Sequence, residues 1–432
     1  MATSIVVANP VQVPTKPHTD NSLSYRLTPP PSTHTYDINE SVTHQDEKIS
    51  KLTSGLEITR FFEQHRGKEF AEQDGDNSTY KYDYLRPLFP DIKEPPLEIL
   101  PVADAALRAD PTYSQLLSSL DRLEHLTPKF GTVVHGIDLQ TLNNQQKDEF
   151  ARLIASRGVV IVRNHDHFGI DEQLALGRHW GHLHRHATTA VPKGYKDNSD
   201  LLDVHVVWAD ENRIPGTGHS QEHLWHSDVS YELQPPSYTS LKLLQGPPTG
   251  GDTSWTSGYG IYDSLSPSLQ KYLEGLKAIH SAHQQAADSI RYGKPVRRDP
   301  VATAHPLVRT NPITGHKAIY VNSGFTTAIV GVPKVESDAI LDLLNRLIAT
   351  DVNNTIRWKW NQGDIVFWDN RSTVHSASWG FYPYRRHGVR VATVGEVPHF
   401  DPSGTSEQAS IDAQLGISSL DKDGSRQGNY ND

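Results

Sequence analysis

The chain has 432 residues and a formal net charge of −10, with 36% hydrophobic and 21% charged residues. This composition is typical of a folded protein with some disordered length, and the length allows one large catalytic domain with extensions, or two domains. The negative charge argues against a nucleic-acid partner, which normally requires a basic face. No apolar run approaches the ~18 residues that cross a bilayer, and the N-terminus lacks the pattern of a secretory signal. We therefore expect a cytoplasmic protein without a membrane partner.

The sequence contains no cysteine and 23 histidines. Without cysteine, disulfides, thiolate metal sites, iron–sulfur clusters and cysteine nucleophiles are all excluded. Any transition metal must therefore be bound by His, Asp or Glu side chains. The histidines become the first candidates for a functional site.

Four segments differ in composition. Residues 1–50 are rich in Pro, Ser and Thr and are predicted to be a disordered N-terminal segment. Residues 51–125 combine helical fragments with Pro-rich spacers, which predicts a partly helical extension packed on the main domain. Residues 126–402 are predicted to be the catalytic domain. The polar residues 403–432 are predicted to be a flexible tail.

The catalytic segment contains many short apolar runs rich in Val, Ile, Thr, Tyr and Trp, with turn residues between them, a pattern typical of β-strands. Two helices, at 145–156 and 335–350, are predicted from apolar residues at i, i+3 and i+4 spacing. Many short strands with few helices predict a mostly β fold with flanking helices, built on a barrel or jelly roll. The chain lacks GxGxxG after a strand, GxxxxGK[ST] and GxSxG, so nucleotide-binding and serine-hydrolase functions lose their main support.

The segment LWHSDVSY contains a candidate metal site. His226 and Asp228 are two residues apart, so on a strand they would share one face while Ser227 points away. Such a pair, joined by a distant second His, forms the facial triad that binds iron(II) and leaves adjacent positions open. Spacing alone is a weak signal, because the same tripeptide form recurs elsewhere. The other three examples begin at His18, His44 and His399. Aromatic neighbours and a following strand pattern favour the pair at His226.

The second half of the candidate site lies near the C-terminus. GDIVFWDN predicts a turn and a strand that lead into a loop carrying His375. The next strand, YRRHGVRVATV, would place Arg386, Gly388 and Arg390 on one face. Two guanidiniums on that face suit two anions bound side by side, because Arg binds carboxylate or sulfonate bidentately and stays charged when buried. A surface arginine cluster is the alternative, and Gly388 argues against it by marking a close approach of a ligand or another backbone.

Five segments of the chain resemble the taurine dioxygenase family of 2-oxoglutarate oxygenases, and most closely its fungal sulfonate dioxygenases. These segments are LWHSDVSY, GGDTSWTS, VNSGFTT, RWKWNQGDIVFWDNRSTVHSA and YRRHGVR. The resemblance runs from about Gly131 to Pro398. It implies a jelly-roll (double-stranded β-helix) core, iron(II) as cofactor and 2-oxoglutarate as cosubstrate with dioxygen. The reaction it implies is hydroxylation of an alkanesulfonate next to sulfur, which releases sulfite and an aldehyde.

The resemblance also assigns roles residue by residue. The implied iron ligands, which are also the catalytic residues, are His226, Asp228 and His375. The residues implied to hold the far carboxylate of 2-oxoglutarate are Thr253 and Arg386. The residues implied to contact the primary substrate are His186, Phe325 and Arg390.

Two positions depart from the family pattern. Thr189 stands where the family has Tyr, and Glu222 stands where it has Asn. Both belong to the taurine pocket in the family, so they argue against taurine itself but not against a small anionic substrate. Two alternatives stay open: a same-family oxygenase acting on a carboxylate, amino acid or secondary-metabolite precursor, and a non-catalytic jelly-roll metal-binding protein. A homo-oligomer also stays open, and a second metal site at His182, His184 and His186 is the alternative role for His186.

Overall fold

The computed structural model describes residues 80–209, 221–381 and 384–416. The disordered segment predicted for residues 1–50 lies outside these ranges, as do residues 51–79 of the predicted extension and 417–432 of the predicted tail. Of the helices within the described ranges, none combines the length and apolarity that crossing a membrane requires.

The described residues form a mixed helix-and-sheet fold. The strands are β1 (Pro87–Leu88), β2 (Arg122–His125), β3 (Thr132–His135), β4 (Val159–Val162), β5 (Val191–Pro192), β6 (Val204–Ala209), β7 (Pro236–Gln245), β8 (Thr253–Ser257), β9 (Lys277–Ser281), β10 (Ala302–Pro306), β11 (Val308–Thr310), β12 (Lys317–Ile319), β13 (Thr326–Ile329), β14 (Thr355–Trp358), β15 (Ile365–Asp369), β16 (Thr373–Ala377) and β17 (Arg386–Val394). The helices are α1 (Ser114–Leu117), α2 (Asn144–Arg157), α3 (Ile170–Trp180), α4 (Gly258–Ser264), α5 (Pro267–Leu273), α6 (His283–Arg291), α7 (Lys334–Thr350) and α8 (Glu407–Leu415).

Two sheets enclose the part of the core nearest the site. The larger has the strand order β2-β3-β4-β15-β7-β17-β6, and the smaller has the order β14-β8-β16. A tryptophan cluster packs between them, with Trp255 on the small sheet and Trp368 on the large one, their ring centroids 5.8 Å apart. The opposite face of the large sheet is covered by α2 and α3, whose Phe150 and Trp180 contact Phe367. Burial of each such side chain contributes about 1.5–3 kcal/mol, which fixes the strands that carry the site.

The two predicted helices are confirmed as α2 and α7. Asn143 starts α2 by accepting the N–H of Gln146, whose side chain in turn accepts the N–H of Asn143. The expectation of few helices is wrong, because α3, α4, α5 and α6 also lie within residues 126–402. Helix α6 was also not predicted, and among its residues only Ala286 is buried.

The described part of the extension, residues 80–125, contains only short helical elements. Its helical residues are confined to α1 and two short 3-10 turns, Asp83–Leu85 and Ala105–Leu107. Where the extension has no regular structure, side chains of the main domain form hydrogen bonds with its backbone. The side-chain amide of Gln234 accepts the N–H of Leu100 at 2.8 Å and donates to the C=O of Leu100 at 2.9 Å. Buried backbone groups need such partners where no helix supplies them.

The segment predicted to be a flexible tail begins with the ordered helix α8. Ser406 caps it by accepting the N–H of Ala409, and the carboxylate of Asp263 accepts the N–H of Gln408 at 2.8 Å. The first residue of the helix, Glu407, is buried against Lys129 and Asp263. These contacts were not predicted because the sequence around them is polar.

Glu407 makes the stability of the protein depend on pH. Burial raises the pKa of Glu407 from 4.5 to about 7. Because the folded state holds this proton more tightly, the associated stability is full below pH 4.5 and is lost as the pH rises through 7. We expect Glu407→Gln to remove this loss and to stabilise the protein above pH 8 by roughly 3 kcal/mol, at 1.36 kcal/mol per pKa unit.

Denaturant unfolding at pH 5 and pH 8 measures this effect. Glu336→Gln is the matched control, because Glu336 also lies in the first turn of a helix but is exposed. An equal change of stability with pH in the wild type and in Glu407→Gln would contradict the assignment.

Candidate active site

The two histidines predicted as metal ligands lie side by side. The N–H of His226 donates to the C=O of His375 at 2.9 Å, and the N–H of His375 donates back to the C=O of His226 at 2.8 Å. In such an antiparallel pair both side chains leave the backbone on the same side, and here the ring centroids are 4.2 Å apart. His375 therefore lies on strand β16 and not in the predicted loop, because its segment pairs with β8 on one side and with His226 on the other.

The donor atoms of the predicted triad converge. Nε2 of His226 and Nε2 of His375 each lie 3.7 Å from Oδ1 of Asp228, and ligand atoms of all three residues lie within 4.8 Å of one another. The Nδ1 of His226 donates to the C=O of Leu224 at 2.8 Å, which leaves the lone pair of its Nε2 free. Both ring nitrogens of His375 and Oδ2 of Asp228 are buried and have no hydrogen-bond partner among the described residues. Two imidazoles and one carboxylate with free lone pairs fit a divalent metal ion.

Asn370 positions the carboxylate ligand. Its Oδ1 accepts the N–H of Asp228 at 2.6 Å, and its Nδ2 donates to the C=O of Asp228 at 3.0 Å. The chain turns directly after the ligand, where Val229 adopts a positive φ of 39°, a strained conformation for a β-branched residue. Ser227 points away from the triad, as predicted, and donates to the C=O of Thr373. Nothing in the sequence distinguished Asn370, because its two contacts join distant segments.

The electrostatic environment keeps the three ligands ready to bind a cation. Burial acts to raise the pKa of Asp228, but the Arg390 guanidinium and the two neighbouring imidazoles lower it to about 2. Burial lowers the pKa of His226, and burial together with His226 lowers that of His375 well below the usual value. The carboxylate is therefore charged and both imidazoles are neutral at neutral pH, the protonation states that metal ligation requires.

The pair predicted to hold a carboxylate is connected to His375 through two tryptophan rings, since the ring centroid of Trp255 lies 6.3 Å from that of Trp360 and 6.4 Å from that of His375. The Arg386 guanidinium is buried, its Nε donates to the C=O of Gly251 at 3.2 Å, and its Nη2 has no partner among the described residues. Trp360 connects it to Thr253, because the indole N–H donates to Thr253 Oγ1 at 3.0 Å while the ring lies 5.8 Å from the guanidinium carbon. The two residues thus belong to one buried cluster with an unused charged donor, which suits an anionic group.

The residues predicted to contact substrate surround the other side of the triad. Arg390 contacts Oδ1 of Asp228, and its Nε has no partner among the described residues. Phe325 meets the ring of His226 edge to face at 6.0 Å. Gly388, between the two arginines, packs closely on the neighbouring strand, because a Cβ there would lie 3.0 Å from a methyl group of Leu241 and 3.2 Å from the C=O oxygen of Lys242.

A pocket opens beside Asp228 and Arg390. Its walls include the predicted substrate residue His186 and two residues that the sequence analysis did not identify, His205 and Arg297. Thr189, one of the departures from the family pattern, also lines it, whereas the side chain of Glu222 lies outside what the structure describes. Neither residue carried a sequence signal, because His205 is a single polar residue in an apolar strand and Arg297 lies in the polar run RRDP, which is typical of an exposed loop.

The alternative second metal site finds no support in the described ranges. Apart from the triad, the one group of suitable ligands there consists of Asp138, His165 and His167, not of the histidines around His186. In that group Nε2 of His165 already accepts the N–H of Leu139, and His167 is exposed. This arrangement is a local hydrogen-bonded loop.

The family profile of the taurine catabolism dioxygenase TauD, TfdA family matches residues 122–392. The chain therefore belongs to this family, and the resemblance inferred from its motifs is confirmed. The matched range spans the strands that carry the triad, the pair Thr253 and Arg386, and the pocket.

Individual relatives agree with this membership. An alpha-ketoglutarate-dependent sulfonate dioxygenase of Saccharomyces cerevisiae is 38% identical over 330 residues, which cover 73% of this chain and 78% of that protein. The alpha-ketoglutarate-dependent dioxygenase cnsP of Penicillium expansum is 36% identical over 309 residues, covering 68% and 81%. Among solved structures, a taurine dioxygenase from Burkholderia xenovorans is 29% identical with a TM-score of 0.53, covering 66% of this chain and 94% of that chain.

Proposed function

We propose that this protein is an iron(II)- and 2-oxoglutarate-dependent dioxygenase that oxidises a small alkanesulfonate. The observation that carries the proposal is a cluster of two histidines and one carboxylate whose carboxylate contacts the Arg390 guanidinium, with a second buried guanidinium, that of Arg386, four residues earlier on the same strand. A sulfonate dioxygenase from yeast is 38% identical to this chain, which supports the substrate class. We further propose that the two facing sheets form a jelly roll and that the protein, lacking cysteine, works in the cytoplasm.

In this proposal each residue has a distinct role. The iron ligands are His226, Asp228 and His375. When bound, iron and 2-oxoglutarate would supply the dioxygen chemistry, with succinate and carbon dioxide as coproducts. Arg386 and Thr253 bind the far carboxylate of the cosubstrate and so fix its orientation in the site. Arg390 and His186 bind the sulfonate, and Phe325 packs against the substrate chain, so that the carbon next to sulfur faces the metal.

The overall reaction follows from this placement. Hydroxylation of the carbon that carries sulfur gives an unstable hydroxysulfonate. Its hydroxyl loses a proton, a C=O bond forms, and the electrons of the C–S bond leave with sulfur as sulfite. The products are therefore an aldehyde and sulfite.

A same-family oxygenase acting on a carboxylate, amino acid or secondary-metabolite precursor is the second candidate. Thr189 in the pocket wall favours it, because this position departs from the taurine-binding pattern. A non-catalytic metal-binding protein is disfavoured by Arg386, since a metal-binding role alone does not require a second buried cation. The test is to mix the purified protein with iron(II), 2-oxoglutarate and a panel of alkanesulfonates. Sulfite release supports the proposal, whereas succinate formation with carboxylates alone would favour the second candidate.

Arg386 provides a test of the cosubstrate site. We expect Arg386→Ala to raise the KM for 2-oxoglutarate by about 10- to 100-fold, because a charged hydrogen-bond partner contributes about 1.5–3 kcal/mol. Iron affinity should change little. N-oxalylglycine, which keeps both carboxylates, should inhibit the wild type competitively with 2-oxoglutarate. Arg357→Ala is the control, because Arg357 is an exposed arginine paired with Asp252. An unchanged KM in Arg386→Ala would contradict the role.

A further inference from the structure

Arg297 is a buried cation with unused donors at the substrate pocket. It is 1% exposed and lies in the loop before β10. Its Nη2 donates to the C=O of His186 at 2.6 Å, whereas its Nε and Nη1 have no hydrogen-bond partner among the described residues. A buried guanidinium normally has its donors satisfied, because an unpaired charge in the interior is costly. The free donors therefore indicate a missing anionic partner.

The nearby carboxylates do not provide that partner. Glu94 lies 3.9 Å from Arg297 Nε, beyond hydrogen-bonding distance, and its other oxygen is 3.2 Å from Arg298. Arg298 also contacts Glu232 at 3.0 Å, so two carboxylates lie close to its guanidinium. Among the described residues, Arg297 pairs only with Glu94, at a longer distance, and shares it with Arg298. Asp203 lines the same pocket, but its Oδ1 already accepts the Nε of Arg185 at 2.8 Å. Arg297 is thus the less compensated of two adjacent buried arginines.

Two histidines complete this wall of the pocket. The rings of His186 and His205 are 5.5 Å apart, and both line the pocket with Arg297 and Arg390. The Nδ1 of His186 accepts the N–H of Thr188 at 3.1 Å, so the proton of the neutral ring is on Nε2. That N–H is available to an anionic oxygen. Cationic and neutral donors therefore approach the same space from four separate segments of the chain.

We propose that Arg297 and His205 join Arg390 and His186 in a single subsite for an anionic head with three oxygens. This inference rests on the proposed function and specifies its substrate class. A sulfonate or sulfate ester presents three oxygens in different directions, whereas a carboxylate presents two in one plane, which a single guanidinium satisfies. Arg390 alone would serve both kinds of anion. Arg297 is then the residue that favours the three-oxygen head.

Binding of two chain-matched anions tests the inference. Butane-1-sulfonate and pentanoate are titrated calorimetrically, without oxygen, into the full chain loaded with iron(II) and N-oxalylglycine. We expect Arg297→Gln to weaken butanesulfonate binding by about 10-fold or more, which is the effect of losing one charged hydrogen bond. Pentanoate binding should weaken by less than about 3-fold, because its carboxylate does not need Arg297. Arg297→Lys, which retains the charge, should recover part of the difference. Arg298→Gln is the matched control: it is expected to lower the melting temperature but to leave the sulfonate-to-carboxylate ratio unchanged.

The outcomes separate this inference from the proposed function. Equal losses for both anions in Arg297→Gln, or wild-type binding of both by a folded variant, would overturn the role of Arg297 and leave the oxygenase function standing. If the wild type binds and oxidises a carboxylate but binds no sulfonate, both the sulfonate substrate and the three-oxygen subsite are wrong. Turnover of sulfonates with selective loss of their binding in Arg297→Gln supports both.

Discussion

Replacing His226, Asp228 or His375 by Ala is expected to abolish substrate-dependent succinate formation while the domain stays folded. Removing a hydrogen-bond partner of a metal ligand typically lowers metal affinity or activity about 10- to 100-fold. Removing the ligand itself should therefore lower activity more than about 100-fold. The two histidine variants should remain folded because the side chain of His375 forms no hydrogen bond among the described residues and that of His226 donates to the C=O of Leu224. Asp228→Ala removes the carboxylate that contacts Arg390, so its melting temperature should fall, although the packed core should keep the domain folded.

The chain contains a matched control for this experiment. His399 begins another His-x-Asp tripeptide, with Asp401, but its side chain is exposed and lies outside the triad. His399→Ala should retain wild-type turnover and metal content. Succinate formation, bound iron and the circular dichroism spectrum are measured for all four variants. Full activity in each of the three triad variants would show that the metal assignment is wrong.

The second large effect is expected for Arg390→Ala, which should uncouple the consumption of 2-oxoglutarate from the oxidation of the substrate. The cosubstrate site at Arg386 lies four residues away, about 13 Å along the strand, so 2-oxoglutarate should still be consumed slowly. Substrate oxidation should fall far more, because the position of the reacting carbon depends on the anchored head. Loss of one charged hydrogen bond predicts a rise of about 10- to 100-fold in the KM for the sulfonate.

Arg390→Lys distinguishes charge from geometry. Lysine retains the positive charge but cannot supply a planar pair of donors, so it should restore little coupling. The measured quantity is the ratio of sulfite to succinate across a series of alkanesulfonates, for the wild type and both variants. A fully coupled Arg390→Ala enzyme would reject Arg390 as the substrate anchor and leave the iron site unaffected.

Short motifs made the central site predictable. His226 and Asp228 are two residues apart, and Arg386 and Arg390 lie on one strand, so local geometry alone relates the members of each pair. The distant His375 was identified because its segment resembles a known family. The long helices α2 and α7 were also predictable, since each repeats the apolar spacing of a helix over several turns.

Other features could not be inferred from local sequence. The helices α4 and α5 are only seven residues long, so each carries too few apolar repeats to stand out from the strands around it. The ordered start of the tail depends on contacts with residues far away along the chain, such as the Asp263 carboxylate that accepts the N–H of Gln408. Such contacts stabilise a polar segment whose own composition predicts flexibility.

Family membership, the candidate metal ligands and the charged groups near them could be inferred from the sequence, because the family's chemistry requires particular side chains within recognisable motifs. Packing between distant segments was needed to bring Asn370 to the backbone of Asp228, and His205 and Arg297 to the pocket beside Asp228. An arginine followed by another arginine and Asp, as in RRDP, is typical of an exposed loop. Whether such a guanidinium is solvated or buried with free donors depends on packing between distant segments, and that packing decides which cation is available to a ligand.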